Sequence, residues 1–235
     1  MATKVIEIPD IGPVTLSKRR GNRSLRLSVS ADGEIRVTLP TWVPYLAGEQ
    51  FVRSKLEWIM AHRRAPSTSL AQGQAIGKAH RLHFVATAHG AKITTRLHQN
   101  QIQVFHPTTL DASHPRVQKA AQAACIRALR KEAEQLLPQR LRGLAERTGF
   151  TYRHVDIKQL KSRWGSCNIH KDITLNLFLM QLPWRLIDYV LLHELTHTKV
   201  MRHGAPFWQE LEKHVPRAKS LRKEMSKHHP VLAGS

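Results

Sequence analysis

The sequence has few cysteines and no long apolar segment. Two cysteines in 235 residues, Cys125 and Cys167, provide no disulfide framework. The apolar runs fall far below the roughly 20 residues needed to cross a bilayer. The first residues include Glu7 and Asp10 and lack the apolar core of a secretory signal. These absences predict a cytoplasmic protein with no membrane partner.

Acidic residues are also scarce, with 17 against 37 lysines and arginines and a formal net charge of +20. Such an excess attracts polyanions, nucleic acid above all, through neutralisation of phosphates. A general effect on solubility is the alternative explanation, because the aromatic residues do not alternate with basic ones as in a single-strand-binding surface. DNA or another polyanion is therefore one candidate partner, and the oligomeric state stays open.

Residues 1–112 predict a β-rich region with one helix. Apolar residues alternate on both sides of Asp32-Gly33, a dipeptide typical of a hairpin turn, and Pro40 ends the second strand. A helical pattern covers residues 45–64, with an apolar face predicted at Leu46, Phe51, Leu56, Trp58 and Ile59. Further strands are predicted at residues 82–88, 92–97 and 101–105.

Residues 113–235 predict an α+β domain. Strong helix formers follow Pro115, Gly149 provides a stop, and Pro138 is expected to kink or split the helix between them. Pro183 then occupies the position expected of a proline that opens a helix. Strands are predicted before it at residues 155–157, 163–164 and 172–180.

The last of these helices carries the stretch "HELTHTKVMRH", residues 193–203. His193 and His197 are four residues apart, so both imidazoles lie on one helix face and are able to bind the same ion. Glu194 is placed to reach a water on that ion without being a ligand, which is the chemistry of an H-E-x-x-H metal site. A chance cluster is the alternative in a chain with 15 histidines, but an apolar face continues the histidine-bearing side of the helix.

His203 is the predicted third ligand, because six residues are enough to end the helix and return a side chain to the ion. The metzincin pattern has this spacing with a glycine at the position that Val200 occupies here, so a different turn is expected, with Gly204 as the flexible residue. The other candidates for this ligand are Glu210, Glu212 and His214. Glu210 is also a candidate for a residue that contacts one of the metal ligands without binding the metal itself.

Several neighbours of the motif have two interpretations. Cys167 is either a soft ligand or, more simply, a small buried side chain, because no C-x-x-C partner accompanies it. Arg163 and Asn176 are candidate substrate-binding residues, since an extended substrate commonly adds to a sheet edge in such sites, and a purely structural role is the alternative. The candidates for an additional oxyanion donor are Tyr189, Arg202 and His214.

Two long segments resemble the YgjP-like zinc metallopeptidases, relatives of the SprT-like and WLM peptidases. They are "KSRWGSC" and "ITLNLFLMQLPWRLIDYVLLHELTHTKVMRHGAPFWQELEKHVP". The earlier stretches "KRRGNRSLRLSVSADGEIRVTLP" and "FVRSKLEWIMAHR" resemble the same family, so the likeness spans most of the chain.

The resemblance implies a minimal zincin fold, a small sheet with the H-E-x-x-H helix, after a β-rich region. It also implies zinc ligands at His193, His197 and His203 and a catalytic base at Glu194. The family usually has Asn-His-Ser where this chain has Arg202-His203-Gly204.

The leading hypothesis is a metallopeptidase that holds one Zn²⁺ and cleaves proteins or peptides, most simply as an endopeptidase. The alternative is a nucleic-acid-associated protein whose peptidase acts on DNA-bound proteins, or whose zinc is mainly structural. A metal hydrolase that acts on other bonds is a third possibility, which the helical H-E-x-x-H context disfavours.

Overall fold

The computed structural model describes residues 3–29, 34–62, 69–88 and 92–232. The chain divides into two compact units, residues 1–68 and residues 69–235. Both combine helices with small sheets, so the fold is α+β, as predicted. The helices that the model describes include none with the length and apolarity required for a membrane crossing.

The first unit contains a four-stranded sheet in the order β1-β2-β4-β3. Its strands are β1 (Thr3–Ile8), β2 (Gly12–Arg19), β3 (Arg26–Val29) and β4 (Ile35–Pro40). The antiparallel pairing of Leu27 with Val37 and of Val29 with Ile35 confirms the predicted hairpin. The predicted turn at Asp32-Gly33 lies outside the described residues.

Two helices, α1 (Tyr45–Arg53) and α2 (Leu56–His62), replace the single helix predicted from residue 45 to residue 64. The break at residues 54–55 changes which side chains face the sheet. Val52 and Ile59 are fully buried, whereas Leu46 and Trp58, predicted on the apolar face, are exposed. The break changes the helical phase for Trp58, which follows it, whereas Leu46 lies in the first turn of α1, before the break.

The second unit begins with another four-stranded sheet, in the order β5-β6-β8-β7, and the predicted strands are confirmed there. Its members are β5 (Ala75–Ile76), β6 (His80–Thr87), β7 (Thr94–His98) and β8 (Gln101–Pro107). The long helix α3 (Pro115–Thr148) follows and packs against β7 and β8. Gly149 ends it with a left-handed backbone (φ 71°), as the sequence predicts.

The helix α3 continues through Pro138 and is not split there. Leu137 and Leu141 on either side of the proline are fully buried in the core. The packing of this apolar face on both sides of Pro138 offsets the backbone hydrogen bond that a proline removes.

The boundary between the two compact units falls near residue 68, whereas the change in sequence texture placed a boundary at residue 112. Leu82, Ile102 and Val104 of the β5–β8 sheet belong to one apolar core with Val117 and Ala121 of α3. The strands β5–β8 therefore belong with the helices after residue 112, because each covers the apolar face of the other.

The remaining elements of the second unit surround the "HELTHTKVMRH" stretch. A three-stranded sheet has the order β10-β11-β9, in which β10 pairs antiparallel and β9 parallel with β11. The elements are β9 (His154–Lys158), β10 (Gly165–Cys167), β11 (Asp172–Asn176), a 3-10 helix (Leu177–Gln181), α4 (Trp184–His197), α5 (Ala205–His214) and α6 (Ala218–Met225). The predicted strand at 172–180 thus ends at Asn176, whose side chain accepts a hydrogen bond from the Phe178 N–H and caps the 3-10 helix.

Candidate metal centre

The helix α4 presents His193, Glu194 and His197 at its C-terminal end. Its first turn is held by the Pro183 carbonyl, which accepts hydrogen bonds from the backbone N–H groups of the third and fourth helical residues. The helix packs against α3 on one side and against β10 on another. This packing fixes the side chains that α4 carries relative to the small sheet.

The chain turns back after α4 and brings His203 onto the two helical histidines. The Nε2 atom of His203 lies 2.9 Å from Nε2 of His193 and 3.0 Å from Nε2 of His197. In the described ranges, these three residues form the one group of three or more histidine, cysteine or acidic side chains close enough to share an ion. The structure therefore brings together the three predicted ligands.

Val200, at the position of the metzincin glycine, needs no special backbone conformation. It has no positive φ, and its N–H donates to the Thr196 carbonyl at 2.9 Å. Its own carbonyl lies 3.1 Å from Nδ1 of His197, which donates the hydrogen bond. An imidazole that donates through Nδ1 keeps the Nε2 lone pair for an ion. The backbone of Val200 thus orients one of the three nitrogens.

Aromatic packing holds the three imidazoles in place. Phe207, on α5, is fully buried, and its ring centroid lies 4.9, 4.6 and 4.8 Å from those of His193, His197 and His203. Burial lowers the pKa of His193 to about 3, with help from the two neighbouring imidazoles, and burial also lowers the pKa of His197. Both rings are therefore neutral at pH 7, which is the form that binds metal.

The donor set fits a zinc ion. Three neutral imidazoles are a common ligand set for Zn²⁺ and leave a further position open. One feature differs between the two helical histidines: Nδ1 of His193 is buried, and the described residues provide no hydrogen-bond partner for it. Its ring is oriented by Phe207 and by Tyr189, whose ring centroid is 6.0 Å away.

Glu194 points away from solvent beside the small sheet. Only 5% of this residue is exposed, and burial raises the pKa of its carboxyl to about 8, while the positive charge of Arg163 acts in the opposite direction. A buried carboxylate with a raised pKa binds a proton readily. Burial therefore favours the protonated form of the Glu194 carboxyl in the protein without metal.

Gly165 of β10 lies against that carboxyl. A methyl group built on its α-carbon would lie 2.7 Å from Oε1 of Glu194. Sequence reasoning missed this residue because the predicted strand ended at residue 164; the structure places Gly165 inside β10, and a glycine within a strand is associated with close approach of another group.

Asn176 was predicted to contact substrate, but its side chain is buried and forms hydrogen bonds inside the protein. It is fully buried, and its Nδ2 donates to the carbonyls of Leu160 and Arg163, at 2.8 Å each. Its Oδ1 accepts from the Phe178 N–H at 3.2 Å. With its polar atoms used inside the protein, Asn176 fixes the loop that carries Arg163, and the Arg163 side chain itself is exposed.

The other candidate ligands lie outside the histidine cluster. Glu210 forms ion pairs with Lys199 at 3.1 Å and with Lys213 at 2.6 Å. His214 packs edge-on against Phe150, with ring centroids 5.0 Å apart. Glu212 and Cys167 are also absent from the cluster, and the Cys167 thiol contacts the Asn168 carbonyl instead.

The candidate oxyanion donors differ in their surroundings. Tyr189 is buried next to His193, and burial raises the pKa of its hydroxyl. Arg202 is exposed.

Sequence reasoning did not identify Arg222 of α6, whose guanidinium lies 4.9 Å above the ring of Trp208 and contributes to the lowered pKa of His193. Arg222 is close to His193 because of tertiary packing, which a local sequence pattern does not predict.

Comparison with solved structures found partial likenesses. Two crystal structures of archaeal metallopeptidase zymogens resemble part of the chain. That of Pyrococcus abyssi abylysin has 29% identity and a TM-score of 0.36, covering 39% of this chain and 94% of the other. That of Methanocaldococcus jannaschii jannalysin has 21% identity and a TM-score of 0.34, covering 37% and 90%. None of the curated proteins compared with the chain matches it.

The family assignment comes from the sequence. The model of the YgjP-like metallopeptidase domain matches residues 23–228, which includes the three histidines, Glu194 and most of the first unit. This family implies a bound metal, typically zinc, and a protein or peptide substrate. The chain is a peptidase and belongs to the YgjP-like metallopeptidases.

Proposed function

We propose that the protein is a zinc-dependent endopeptidase, with one ion held by His193, His197 and His203 and with Glu194 as the general base. The observation that carries the proposal is that the Nε2 atoms of His193 and His197 both lie within 3.0 Å of Nε2 of His203, on a helix that also carries the buried carboxyl of Glu194. When bound, zinc would polarise the scissile carbonyl and lower the pKa of water.

Glu194 has two tasks in this proposal. Its carboxylate takes a proton from the attacking water, and the resulting acid then gives that proton to the amine that leaves. Burial favours the protonated carboxyl that the second step requires, while the positive charge of Arg163 and of a bound ion would favour the carboxylate that the first step requires. Tyr189, Arg202 and His214 are the candidate donors to the developing oxyanion, and Tyr189 packs against the ring of His193.

The strand β10 offers a place for an extended substrate. It is an outer strand, and its hydrogen bonds to β11 include Asn176 N–H to the Trp164 carbonyl and Asn168 N–H to the Asp172 carbonyl. Because bonded pairs alternate in an antiparallel ladder, the backbone groups of Gly165 and Cys167 point to the free edge.

A peptide added at this edge is recognised through its backbone, away from its ends, which suits an endopeptidase. We propose that Arg163, exposed two residues before β10, contacts such a substrate. Its main chain is held by buried Asn176, so the guanidinium extends from a fixed point.

Metal dependence tests this function. Fluorescently labelled, denatured casein is incubated with the purified protein before and after removal of metal by a chelator. Cleavage should stop on chelation and return with one equivalent of Zn²⁺. Cleavage by the metal-free protein at the same rate would contradict a zinc-dependent mechanism.

The nucleic-acid alternative stays a prediction that rests on the net charge of +20. It requires phosphate-driven binding, and such binding weakens steeply as salt rises. Titration of labelled duplex and single-stranded DNA between low and physiological salt tests it. If neither binds in a salt-sensitive way, the basic surface has no nucleic-acid role.

A further inference from the structure

We propose that Gly165 is a positioning residue for Glu194: its missing side chain leaves the space that the carboxyl of the general base occupies. The catalytic part of this inference rests on the proposed function, whereas the steric part does not.

The contact is closer than any side chain allows. A Cβ on Gly165 would lie 2.7 Å from Oε1, 2.8 Å from Cγ and 2.9 Å from Cδ of Glu194, and real Cβ atoms essentially never approach another group within 3.0 Å. Three successive parts of one side chain are involved, so rotation of the terminal carboxylate alone does not relieve the overlap.

Backbone conformation does not explain the glycine. Gly165 has no positive φ and lies in a regular antiparallel ladder opposite Leu175. Any residue adopts that conformation. Space is therefore the requirement that glycine meets at this position.

Neither backbone is free to withdraw. Leu175, the cross-strand neighbour of Gly165, is fully buried, and the Trp164 carbonyl accepts the Asn176 N–H at 2.9 Å. On the other side, Leu191 and Leu195 of α4 are fully buried around Glu194. A larger residue at position 165 thus displaces the Glu194 side chain, because the strand and the helix are both fixed by the core.

The same residue faces the proposed substrate edge. The N–H and carbonyl of Gly165 point along the free side of β10, while its α-carbon lies against the side chain of the general base. One backbone position therefore sets the distance between the base and an added peptide strand. A displacement of about 1 Å at such a place is sufficient to lower turnover by about 100-fold.

The test is a double-mutant cycle on the full-length, zinc-loaded protein. Thermal midpoints are measured for wild type, Gly165→Ala, Glu194→Ala and the double variant. Gly165→Ala should lower the midpoint when Glu194 is present and have little effect when Glu194→Ala has removed the obstructing side chain. Gly143→Ala is the matched control, because a Cβ there meets no atom within 4 Å, and its midpoint should not fall.

Kinetics complete the test, with labelled casein fragments as substrate. Gly165→Ala should reduce kcat by about 10- to 100-fold at little change in KM and with full zinc content, since the ligands are untouched. Equal losses of midpoint in both Glu194 backgrounds, or an unchanged kcat, would overturn the inference. If the wild type shows no peptidase activity, the proposed function fails, and the stability cycle still decides the steric contact.

Discussion

The Nε2 atoms of His193 and His203 lie 2.9 Å apart, although the two residues are ten positions apart in the chain. The turn after α4 achieves this without a glycine at Val200, and the Val200 carbonyl meanwhile holds Nδ1 of His197. The turn therefore places His203 against both helical histidines and orients His197 as well.

His203→Ala should strongly reduce zinc retention, because two imidazoles remain where three converged. Metal analysis after dialysis against a weak chelator measures this. His214→Ala is the matched control, since His214 was a candidate for the same ligand but packs against Phe150. Loss of zinc from the control with retention by His203→Ala would reverse the assignment of the third ligand.

Asn176→Ala should destabilise the protein, because it leaves the carbonyls of Leu160 and Arg163 without their buried donor. A buried polar group without a partner costs about 1–3 kcal/mol. Urea unfolding measures the change, with Asn100→Ala as an exposed control expected within about 0.5 kcal/mol of wild type. Wild-type stability in Asn176→Ala would contradict a structural role for this side chain.

Arg163→Gln should have the opposite profile: little loss of stability and a higher KM for peptides. The guanidinium is exposed, whereas the backbone carbonyl that Asn176 holds is unaffected by the substitution. Arg153→Gln serves as a comparison, because that guanidinium is paired with Asp172. An unchanged KM in Arg163→Gln would remove Arg163 from the substrate site.

Both thiols should react slowly with iodoacetamide at pH 8 in the folded protein. Burial raises the pKa of Cys125 to about 12 and that of Cys167 to about 11, and the thiolate is the reactive form. Mass spectrometry after timed alkylation gives the rates. Cys167→Ala should also keep its zinc, and metal loss in that variant would revive the soft-ligand interpretation.

Asp172 should contribute an acid-sensitive component of stability. Hydrogen bonds from Arg153 and Asn168 hold the pKa of its carboxyl well below the usual range. A lowered folded-state pKa stabilises the fold above the unfolded-state pKa of about 4, and this stabilisation is lost as the pH falls through and below that value. Asp172→Asn should therefore melt earlier than wild type at pH 7, by a margin that narrows towards pH 3. A constant margin would show that the charge is not the cause.

Local patterns predicted the local features of this protein. The hairpin partners Leu27 and Val37, the stop at Gly149 and the one-turn spacing of His193 and His197 all follow from neighbours in sequence. They depend on backbone periodicity and turn chemistry, which a few residues determine.

Features that depend on contacts between residues far apart in the sequence could not be predicted from local patterns. Pro138 remains inside α3 because core packing on both sides outweighs its local effect. The compact units divide at residue 68, and not at the change of sequence texture at residue 112, because β6 and β8 share a core with α3. The proximity of Gly165 to Glu194 belongs to the same class, since it arises where a strand and a helix meet.

Glu194→Gln tests the central claim most directly, because the amide has nearly the same shape as the carboxylate and is unable to accept the proton. Zinc content and cleavage of denatured casein are measured on the same preparation, with Glu212→Gln as an exposed control. The account predicts wild-type zinc, a loss of cleavage by at least about 100-fold, and a fully active control. Undiminished cleavage by Glu194→Gln with zinc in place would contradict it.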